Sequence, residues 1–417
     1  MVFKEGTKSI PITKGMVWLA YKKVKQNKGS AGMDRQTLED FDKVRSKELY
    51  KIWNRLASGS YFPSSVKRVE IPKQGGKIRP LGIPTVSDRI AQQVIKQYIE
   101  PRLEAKFMDT SYGYRPQRSA HQAIELVRSN VGNYSWVIDL DIQEFFDNVN
   151  HDLLLKALKV HVSEKWVLMY IQRWLEVPIL LEDVTLIYPE GKGVPQGGVI
   201  SPLLSNLFLH YCIDKWLAIT HPQAKIVRYA DDMVIHCQTQ EEAIVLLTQI
   251  KGRLGECGLI AHPEKTKIVY CKKEGRPLVG FPVQFDFLGF SFRPMQVRLK
   301  KGGSFIQYDC MMSRNSKKRT LKDLRDMNFH DKTQLSLQEI ATKLNPKIRG
   351  WIQYYGKISR KSLWPVFYYL HHRILKWILN KYKRFKGSKI KAVKWLRFIT
   401  VHYPNLFYHW GLGYKLT

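Results

Sequence analysis

The chain has 417 residues, 44% of them hydrophobic and 12% aromatic, and its 68 Lys and Arg against 36 Asp and Glu give a formal net charge of +32. This composition excludes a disordered chain, and the surplus positive charge favours a polyanionic partner, with nucleic acid ahead of an anionic membrane surface. Without an apolar run of about 18 residues or an apolar segment behind the N-terminus, the sequence predicts neither a transmembrane helix nor a signal peptide.

The N-terminal part of the sequence has the pattern of helices followed by a hairpin. The first ~60 residues predict helices interrupted by a basic loop at residues 28–32. Residues 66–90 predict a strand, a Gly-Gly turn, a second strand and the start of a helix with Ser87 as its N-cap. The widely spaced cysteines, without a CxxC pair, favour reduced thiols and a cytosolic setting, in a bacterial-type cytosol or at the nucleoid.

Acidic residues mark two of the strands predicted in the middle of the chain. Residues 134–142 predict a buried strand that carries Asp139 and Asp141, and a helix is expected to begin at His151. Residues 226–237, IVRYADDMVIHC, predict a hairpin with Asp231 and Asp232 at its tip.

The pair of carboxylates at the hairpin tip needs a compensating cation if it is even partly buried. Asp139 and Asp141 point to one face of their strand, because side chains alternate along a strand. Such a strand beside the hairpin would supply the oxygen ligands for two Mg²⁺ ions about 3.5–4 Å apart, as in-line displacement at phosphorus requires. The alternative is that Asp231-Asp232 only caps a turn, and the second acidic strand and the positive charge favour metal.

Charge separates towards the C-terminus. After Glu339 the sequence has no acidic residue, whereas residues 340–417 hold 17 Lys and Arg interleaved with aromatics. Residues 295–315 have a basic, loop-like composition, so we expect a domain boundary there, between an α/β body and a helical basic domain. Such a domain could bind phosphates and stack on unpaired bases, or it could be an amphipathic helical thumb whose aromatics form a core.

Ordered motifs along nearly the whole chain resemble those of group II intron-encoded reverse transcriptases. Tyr229-Ala230-Asp231-Asp232 is similar to the hallmark motif of reverse transcriptases. The other matching segments, in order, are RVEIPKQGGKIRPLGIPTVSDRIAQQ (68–93), SYGYRPQRSAHQAI (111–124), VIDLDIQEFFDNVNHDLL (137–154), GVPQGGVISPLLSNLFLH (193–210), GLIAHPEKTKIV (258–269), FDFLGFSF (285–292), RGWIQYYGK (349–357) and LFYHWGLGY (406–414).

The resemblance implies an α+β, right-hand polymerase with fingers, palm and thumb. It implies an N-terminal extension over residues 1–60, fingers and palm over 61–295, and a helical, basic thumb and maturase region over 296–417. The family's spacing to a Phe-Asp pair selects Asp141 as the catalytic ligand with Asp231 and Asp232, and Asp139 is kept as the alternative. Two Mg²⁺ ions are the implied cofactors, and Mn²⁺ is expected to substitute for them.

The resemblance also assigns contacts to the incoming nucleotide. Lys73 and Arg79 would fold over its triphosphate, although a solvated hairpin would have the same composition. Phe146 would stack under the sugar and exclude a 2′-hydroxyl, or it is an ordinary core residue. Gln196, in a Pro-Gln-Gly-Gly loop, would lie near the nucleotide, and Lys265 would protonate the pyrophosphate leaving group unless it is a plain surface lysine.

The partners implied are an RNA template, a group II intron RNA, a DNA or RNA primer and dNTPs, with no membrane. Basic residues in the matching or charge-rich segments are candidate RNA contacts: Lys28, Arg115, Arg349, Lys376, Lys383 and Arg384. The Phe287-Leu288-Gly289-Phe290 segment resembles the primer grip, or serves apolar packing alone.

The function implied is RNA-directed DNA polymerase activity together with splicing as a maturase. The clustered Cys and His of the endonuclease module found in some family members do not follow Cys310, so we expect no cleavage of a DNA target by this polypeptide. Two alternatives remain open: a mainly RNA-binding splicing factor, and a domesticated relative in DNA repair or phage defence. The complete set of three carboxylates favours retained polymerase activity.

Overall fold

A computed structural model describes residues 10–72, 78–271, 280–299 and 302–416. The chain divides into two compact units, of which the first contains Met1–Ala123 and Ile138–Lys267 and the second contains Ile124–Val137 and Ile268–Thr417. In the part of the chain that the structure describes, no helix is both long enough and apolar enough to cross a bilayer.

The first unit is mainly helical. A π-helical turn, His210–Asp214, continues directly from one of its helices into the next. Its helices, with α5 running on into the second unit, are α1 (Lys14–Asn27), α2 (Leu38–Lys43), α3 (Arg45–Ser58), α4 (Val86–Glu104), α5 (Ala120–Asn133), α6 (Phe145–Asn148), α7 (His151–Lys159), α8 (Lys165–Leu175), α9 (Ser201–Leu209), α10 (Lys215–Thr220) and α11 (Gln240–Glu256).

Two sheets accompany these helices. Their strands are β1 (Val66–Pro72), β2 (Ile78–Ile83), β3 (Trp136–Asp141), β4 (Ile179–Leu180), β5 (Leu186–Ile187), β6 (Lys225–Tyr229), β7 (Asp232–Cys237) and β8 (Lys267–Tyr270). One sheet has the strand order β2-β1-β4-β5 and the other β6-β7-β3-β8, in which β3 and β8 each have residues in both units. The second sheet carries the acidic strand and the acidic hairpin.

The N-terminal helices and the following hairpin confirm the sequence prediction. Residues of α1 spaced three or four apart face the core, namely Val17, Ala20, Tyr21 and Val24. Strands β1 and β2 pair antiparallel from Lys67↔Ile83 to Pro72↔Ile78, and the predicted Gly-Gly turn between them lies outside the described residues.

The predicted N-cap of α4 was wrong by two residues. Thr85, not Ser87, precedes the helix in an extended conformation, and its hydroxyl accepts a hydrogen bond of 3.1 Å from the Asp88 backbone N–H. The Asp88 carboxylate accepts in return from the Thr85 and Tyr61 hydroxyls, each at 2.7 Å. Burial nevertheless raises the pKa of Asp88, and the hydrogen bonds oppose that rise.

The second unit combines a small antiparallel sheet with a helical region. Its sheet has the order β11-β10-β9, and four phenylalanines along β9 and β10 are fully buried. Its elements are β9 (Phe285–Phe287), β10 (Phe290–Arg298), β11 (Ser304–Met312), α12 (Arg314–Asp326), α13 (Leu337–Trp351), α14 (Trp364–Lys381), α15 (Lys389–His402) and α16 (Tyr408–Gly411).

The prediction of a loop-like boundary at residues 295–315 was wrong. These residues form most of the β10–β11 hairpin, which is paired without a break from Phe290↔Met312 to Arg298↔Ser304. Buried residues alternate with half-buried ones only from Phe290 to Phe292 and from Tyr308 to Met312, at the end of the hairpin away from its turn. The period of two that indicates a strand is therefore short, and the exposed and half-buried residues towards the turn concealed the hairpin. The position 295/296 proposed as a domain boundary therefore lies inside β10.

Candidate active site

The β6–β7 hairpin holds Asp231 and Asp232 at its turn, as the sequence predicted. The two strands pair antiparallel, and the last pair before the turn is Tyr229↔Asp232. Both aspartates are half-buried, and Ala230 takes the left-handed conformation with φ of 58°. Because β7 is buried at Met233, Val234 and Ile235, the apolar core fixes the register of the hairpin and therefore the place of the acidic pair.

Strand β3, next to β7 in the sheet, presents Asp139 and Asp141, and each faces a different lysine. The Lys265 ammonium lies 3.0 and 3.2 Å from the two carboxylate oxygens of Asp141. The Lys267 ammonium lies 3.5 Å from Asp139. Asp139 is the more enclosed of the two, with 14% of its side chain exposed against 40% for Asp141.

The carboxylates at this site are ligands that suit a hard divalent cation. Among the residues that the structure describes, however, they are not gathered around a common metal position. Asp141, Asp231 and Asp232 supply carboxylate oxygens, which Mg²⁺ and Mn²⁺ prefer. Within the described residues, no group of three or more His, Cys, Asp or Glu side chains is gathered closely enough to hold a metal ion. A cation already neutralises Asp141, namely the ammonium of Lys265, so a metal ligated there would replace that ammonium.

Arg228, a residue that the sequence analysis did not single out, supports the turn from within. Its side chain is fully buried, and it forms a two-point ion pair with Asp214 through N–O distances of 2.8 and 2.5 Å. It also donates to the Asn206 side-chain oxygen at 2.9 Å and to the Ala230 carbonyl at 3.1 Å. The sequence does contain a signal for this role, since Arg228 directly follows the apolar residues Ile226 and Val227 in a predicted strand. A charged side chain in a buried strand needs partners.

Gln196 lies beside Asp147 at the edge of a cavity. The Gln196 amide is 3.4 Å from the nearer Asp147 carboxylate oxygen, a long hydrogen bond. Both residues line a cavity of about 360 Å³, together with Arg68 and residues of β2 and of the loop before Gln196. Gly197, directly after Gln196, has φ of 125°, and a Cβ there would lie 2.4 Å from the Gly82 carbonyl oxygen. Only glycine therefore allows the backbone at residue 197 to lie this close to β2.

The structure describes only some of the other side chains that were predicted to contact the nucleotide. Lys73 lies outside the described residues, as does the side chain of Arg79, whose backbone belongs to β2. Phe146 is buried, with 8% of its surface exposed, and it packs edge-to-face on Phe145. Its role as a steric gate stays a prediction.

Most predicted RNA contacts are exposed, whereas Arg115 is not. The Arg115 guanidinium is paired with Glu104 at 2.8 Å and donates to the carbonyls of Met108 and Ser111, so it holds this segment together and has no face for a phosphate. The prediction of an RNA contact at Arg115 was therefore wrong. The exposed members of the set are Lys28, Arg349, Lys376, Lys383 and Arg384.

The segment that resembles the primer grip is both packed and constrained. Phe287 and Phe290 are buried, which confirms the packing role. Between them, Leu288 and Gly289 both have positive φ, and the Tyr354 hydroxyl donates to the Leu288 carbonyl at 2.8 Å. The turn between the two phenylalanines is therefore held in one conformation from the helical part of the same unit.

Comparison with known proteins places family matches over both parts of the chain. A family described as "Reverse transcriptase (RNA-dependent DNA polymerase)" matches residues 71–292, and one described as "Group II intron, maturase-specific domain" matches residues 317–395. "Protein YkfC" of Escherichia coli (strain K12) is 35% identical over 258 residues, which cover 53% of this chain and 67% of that protein.

A second relative is similar over most of the chain. "Group II intron-encoded protein LtrA" of Lactococcus lactis subsp. cremoris is 26% identical, over 90% of this chain and 75% of that protein. Among solved structures, a telomerase from Candida albicans in complex with a fragment of telomeric RNA is similar with a TM-score of 0.46 and 12% identity, covering 88% of this chain and 66% of that one.

Proposed function

Since the chain belongs to the reverse transcriptase family, in its group II intron-encoded branch with a maturase domain, we propose that Asp141, Asp231 and Asp232 carry its polymerase reaction. The protein is an RNA-directed DNA polymerase and intron maturase that binds RNA, and its reaction depends on divalent metal. The observation that carries the residue assignment is the sheet order β6-β7-β3, in which the strand that begins with Asp232 lies beside the strand that ends with Asp141.

We propose Mg²⁺ as the physiological metal, as two ions, with Mn²⁺ able to replace it. When bound, the ions would lower the pKa of the primer 3′-hydroxyl and neutralise the triphosphate. The chain's own part is to hold three carboxylates, with Asp231 in the β6–β7 turn and with Asp232 and Asp141 at the ends of the neighbouring strands β7 and β3. Lys265, whose ammonium lies beside Asp141, would act on the pyrophosphate as an acid or as a point charge.

Nucleotide contacts are proposed around the cavity that Gln196 and Asp147 line. The incoming dNTP would lie against Gln196, with the buried Phe146 below its sugar. Lys73 and Arg79 would bind the triphosphate from the β1–β2 hairpin. The primer would be DNA or RNA, and the template RNA.

We propose that the exposed basic residues of the second unit bind the intron RNA. Arg349 lies over the half-buried ring of Tyr408 at 5.1 Å, and Arg384 over the buried ring of Phe385 at 4.7 Å, so an aromatic ring supports each of these exposed guanidinium groups. Such pairs suit phosphates and unstacked bases. Lys376 and Lys383 would add phosphate contacts, with Lys28 in the first unit. With polyanions as partners, we place the protein in the cytosol or at the nucleoid.

Primer extension on an RNA template tests the polymerase assignment. Asp231→Asn and Asp232→Asn keep the shape of the side chains and remove their charge, so we expect no cDNA while RNA affinity and melting temperature stay near wild type. Extension by either variant at a wild-type rate would contradict the assignment of that residue. The same variants should still promote splicing of a group II intron RNA, because splicing as a maturase needs binding and no nucleotidyl transfer.

A further inference from the structure

Arg228 connects three segments of the first unit to one backbone turn. It lies in β6, two residues before Ala230, and its side chain has no exposed surface. Two of its guanidinium nitrogens are taken by Asp214 in the π-helical turn. The remaining nitrogen donates to the Asn206 side chain of α9 at 2.9 Å and to the Ala230 carbonyl at 3.1 Å.

The backbone at this turn is in a conformation that an alanine rarely adopts. Ala230 has φ of 58°, in the left-handed region where a Cβ crowds the following carbonyl. The turn is also tightly enclosed, because a Cβ at Gly113 would lie 2.4 Å from the Ala230 nitrogen. Gly113 is itself fixed by Asn206, whose amide donates to the Gly113 carbonyl at 2.7 Å.

We propose that Arg228, oriented by Asp214 and Asn206, is a positioning residue of the polymerase. Its hydrogen bond to the Ala230 carbonyl holds the peptide from which Asp231 and Asp232 project. The proposal rests on the proposed function, which assigns those two aspartates to the metal. The Arg228 charge is neutralised by Asp214, so its effect on the site passes through the backbone and not through a long-range field.

A purely structural role would not require this chemistry. A buried ion pair is often replaceable by apolar residues of similar volume without loss of stability, whereas removal of one partner leaves an unpaired buried charge. What an apolar pair cannot do is donate to the Ala230 carbonyl. Removing both charges together therefore separates the contribution to folding from the contribution to the geometry of the turn.

The central experiment compares the double variant Arg228→Met/Asp214→Leu with the wild type. The matched control is Arg128→Met/Asp309→Leu, which removes another two-point Arg–Asp pair, with N–O distances of 2.6 and 2.9 Å, in the second unit. We expect the first double variant to keep its KM for dNTP and its RNA affinity while kcat falls about tenfold or more. Its melting temperature should fall only slightly, because the Ala230 carbonyl and the Asn206 side-chain oxygen lose their donor. Mn²⁺ affinity, followed by electron paramagnetic resonance without substrate, should fall as well. The control should leave kcat and Mn²⁺ affinity unchanged.

Two further variants keep the test decisive if the double variant does not fold. Arg228→Lys retains the charge beside Asp214, but one ammonium nitrogen cannot take the separate positions of Nε and Nη2 at Asp214 and of Nη1 at the Ala230 carbonyl, so kcat should still fall. Ala230→Gly, which takes positive φ without strain, should recover part of the kcat that either Arg228 variant loses.

An unchanged kcat in both Arg228 variants would overturn the proposal. So would a parallel loss of kcat, RNA affinity and melting temperature, which would indicate a structural role. If Asp231→Asn retains full activity, the proposed site fails instead, whatever the Arg228 variants do. If Asp231→Asn is inactive and the Arg228 variants are fully active, only the positioning role fails.

Discussion

Asp139 and Asp141 differ in their lysine partners and in their exposure. The ammonium beside Asp141 is close to both carboxylate oxygens, whereas Asp139 has a longer single contact and a more enclosed side chain. Alternation along β3 left both residues as candidates, and the family spacing alone favoured Asp141. The more exposed carboxylate is also the better placed to exchange an ammonium for a metal ion.

Asp141→Asn should therefore abolish primer extension, and Asp139→Asn should retain a substantial part of it. The reason is that the first change removes a metal ligand and the second only leaves Lys267 without its partner. Single-nucleotide incorporation at saturating dNTP measures both, and RNA affinity serves as the control for folding. Equal losses in the two variants would show that both carboxylates contact metal.

Lys265→Gln should tighten Mn²⁺ binding to the protein without substrate. The pair with Asp141 is largely exposed, and pairs of this kind are worth about 0.2–1 kcal/mol, so removing the competing ammonium should raise metal affinity by at most about fivefold. Lys267→Gln, which removes the ammonium beside Asp139, is the matched control and should change the affinity much less. Weaker Mn²⁺ binding in Lys265→Gln would contradict competition between the ammonium and the metal.

Phe146→Ala should let the polymerase accept ribonucleotides. A smaller side chain would open room for a 2′-hydroxyl if the buried ring lies under the sugar. The measurement is competition between ribo- and deoxynucleotides in extension, with Phe145→Ala, its packing partner at 5.3 Å, as the control for loosened packing. Unchanged discrimination in a folded, active variant would leave Phe146 as a core residue.

At the scale of secondary-structure elements, strands with clear hydrophobic patterns were predictable from the sequence. Contacts between residues far apart in the sequence were not. The acidic hairpin and the β1–β2 hairpin follow from strand-forming segments on either side of turn residues, and both are present. The β10–β11 hairpin was missed because its alternation of buried and half-buried residues is confined to the end away from its turn. Arg228 was overlooked and Arg115 was misjudged for one reason: burial of a charge depends on partners elsewhere in the sequence, Asp214 and Glu104.

Residues 373–394, which lie in α14, in α15 and in the turn between them, include Lys and Arg side chains of two kinds. Arg373 donates to the Arg325 carbonyl, and Lys381 donates to the carbonyls of Thr333 and Leu335, so both stabilise the fold. The other basic residues of this stretch are exposed: Lys376, Lys383, Arg384, Lys386, Lys389, Lys391 and Lys394.

Neutralising the exposed set should weaken intron RNA binding and flatten its dependence on salt. For every phosphate that the variant no longer binds, the slope of log K against log salt should become shallower by about 0.7 on single strands and about 0.9 on duplexes. Extension of a saturating short primer-template should change less, because the carboxylates lie in the other unit. Arg373→Gln and Lys381→Gln form the matched control and should lower stability without changing the slope. Parallel slopes for neutralised and wild-type protein would argue against RNA binding by this stretch.

At the scale of the whole molecule, both compact units contain buried histidines whose lowered pKa values leave them neutral near pH 7. In the first unit, burial lowers the pKa of His236 to about 4. In the second, burial lowers the pKa of His371 to about 4 and that of His409 well below its ordinary value. His371 Nε2 accepts a hydrogen bond from the Trp410 indole at 3.0 Å and lies 3.1 Å from His409 Nε2, so that nitrogen of His371 carries no proton, as suits an uncharged ring.

Both units should lose stability as the pH falls below about 6.5, because an unfolded histidine binds a proton near that pH, whereas the folded His236 and His371 have pKa values of about 4. The stabilisation is fully present above pH 6.5. Between pH 6.5 and 4 a single such histidine removes roughly 3 kcal/mol from the free energy of unfolding.

Hydrogen exchange read by mass spectrometry, corrected for the intrinsic effect of pH, measures each unit separately at pH 7 and pH 5. In His371→Gln, where an amide oxygen can still accept from Trp410, the second unit should lose less protection on acidification, because only His409 of this buried pair can still take up a proton. The first unit, which contains His236, should behave as in the wild type. The same acid-induced loss in the second unit of His371→Gln and of wild type would show that protonation of His371 does not contribute.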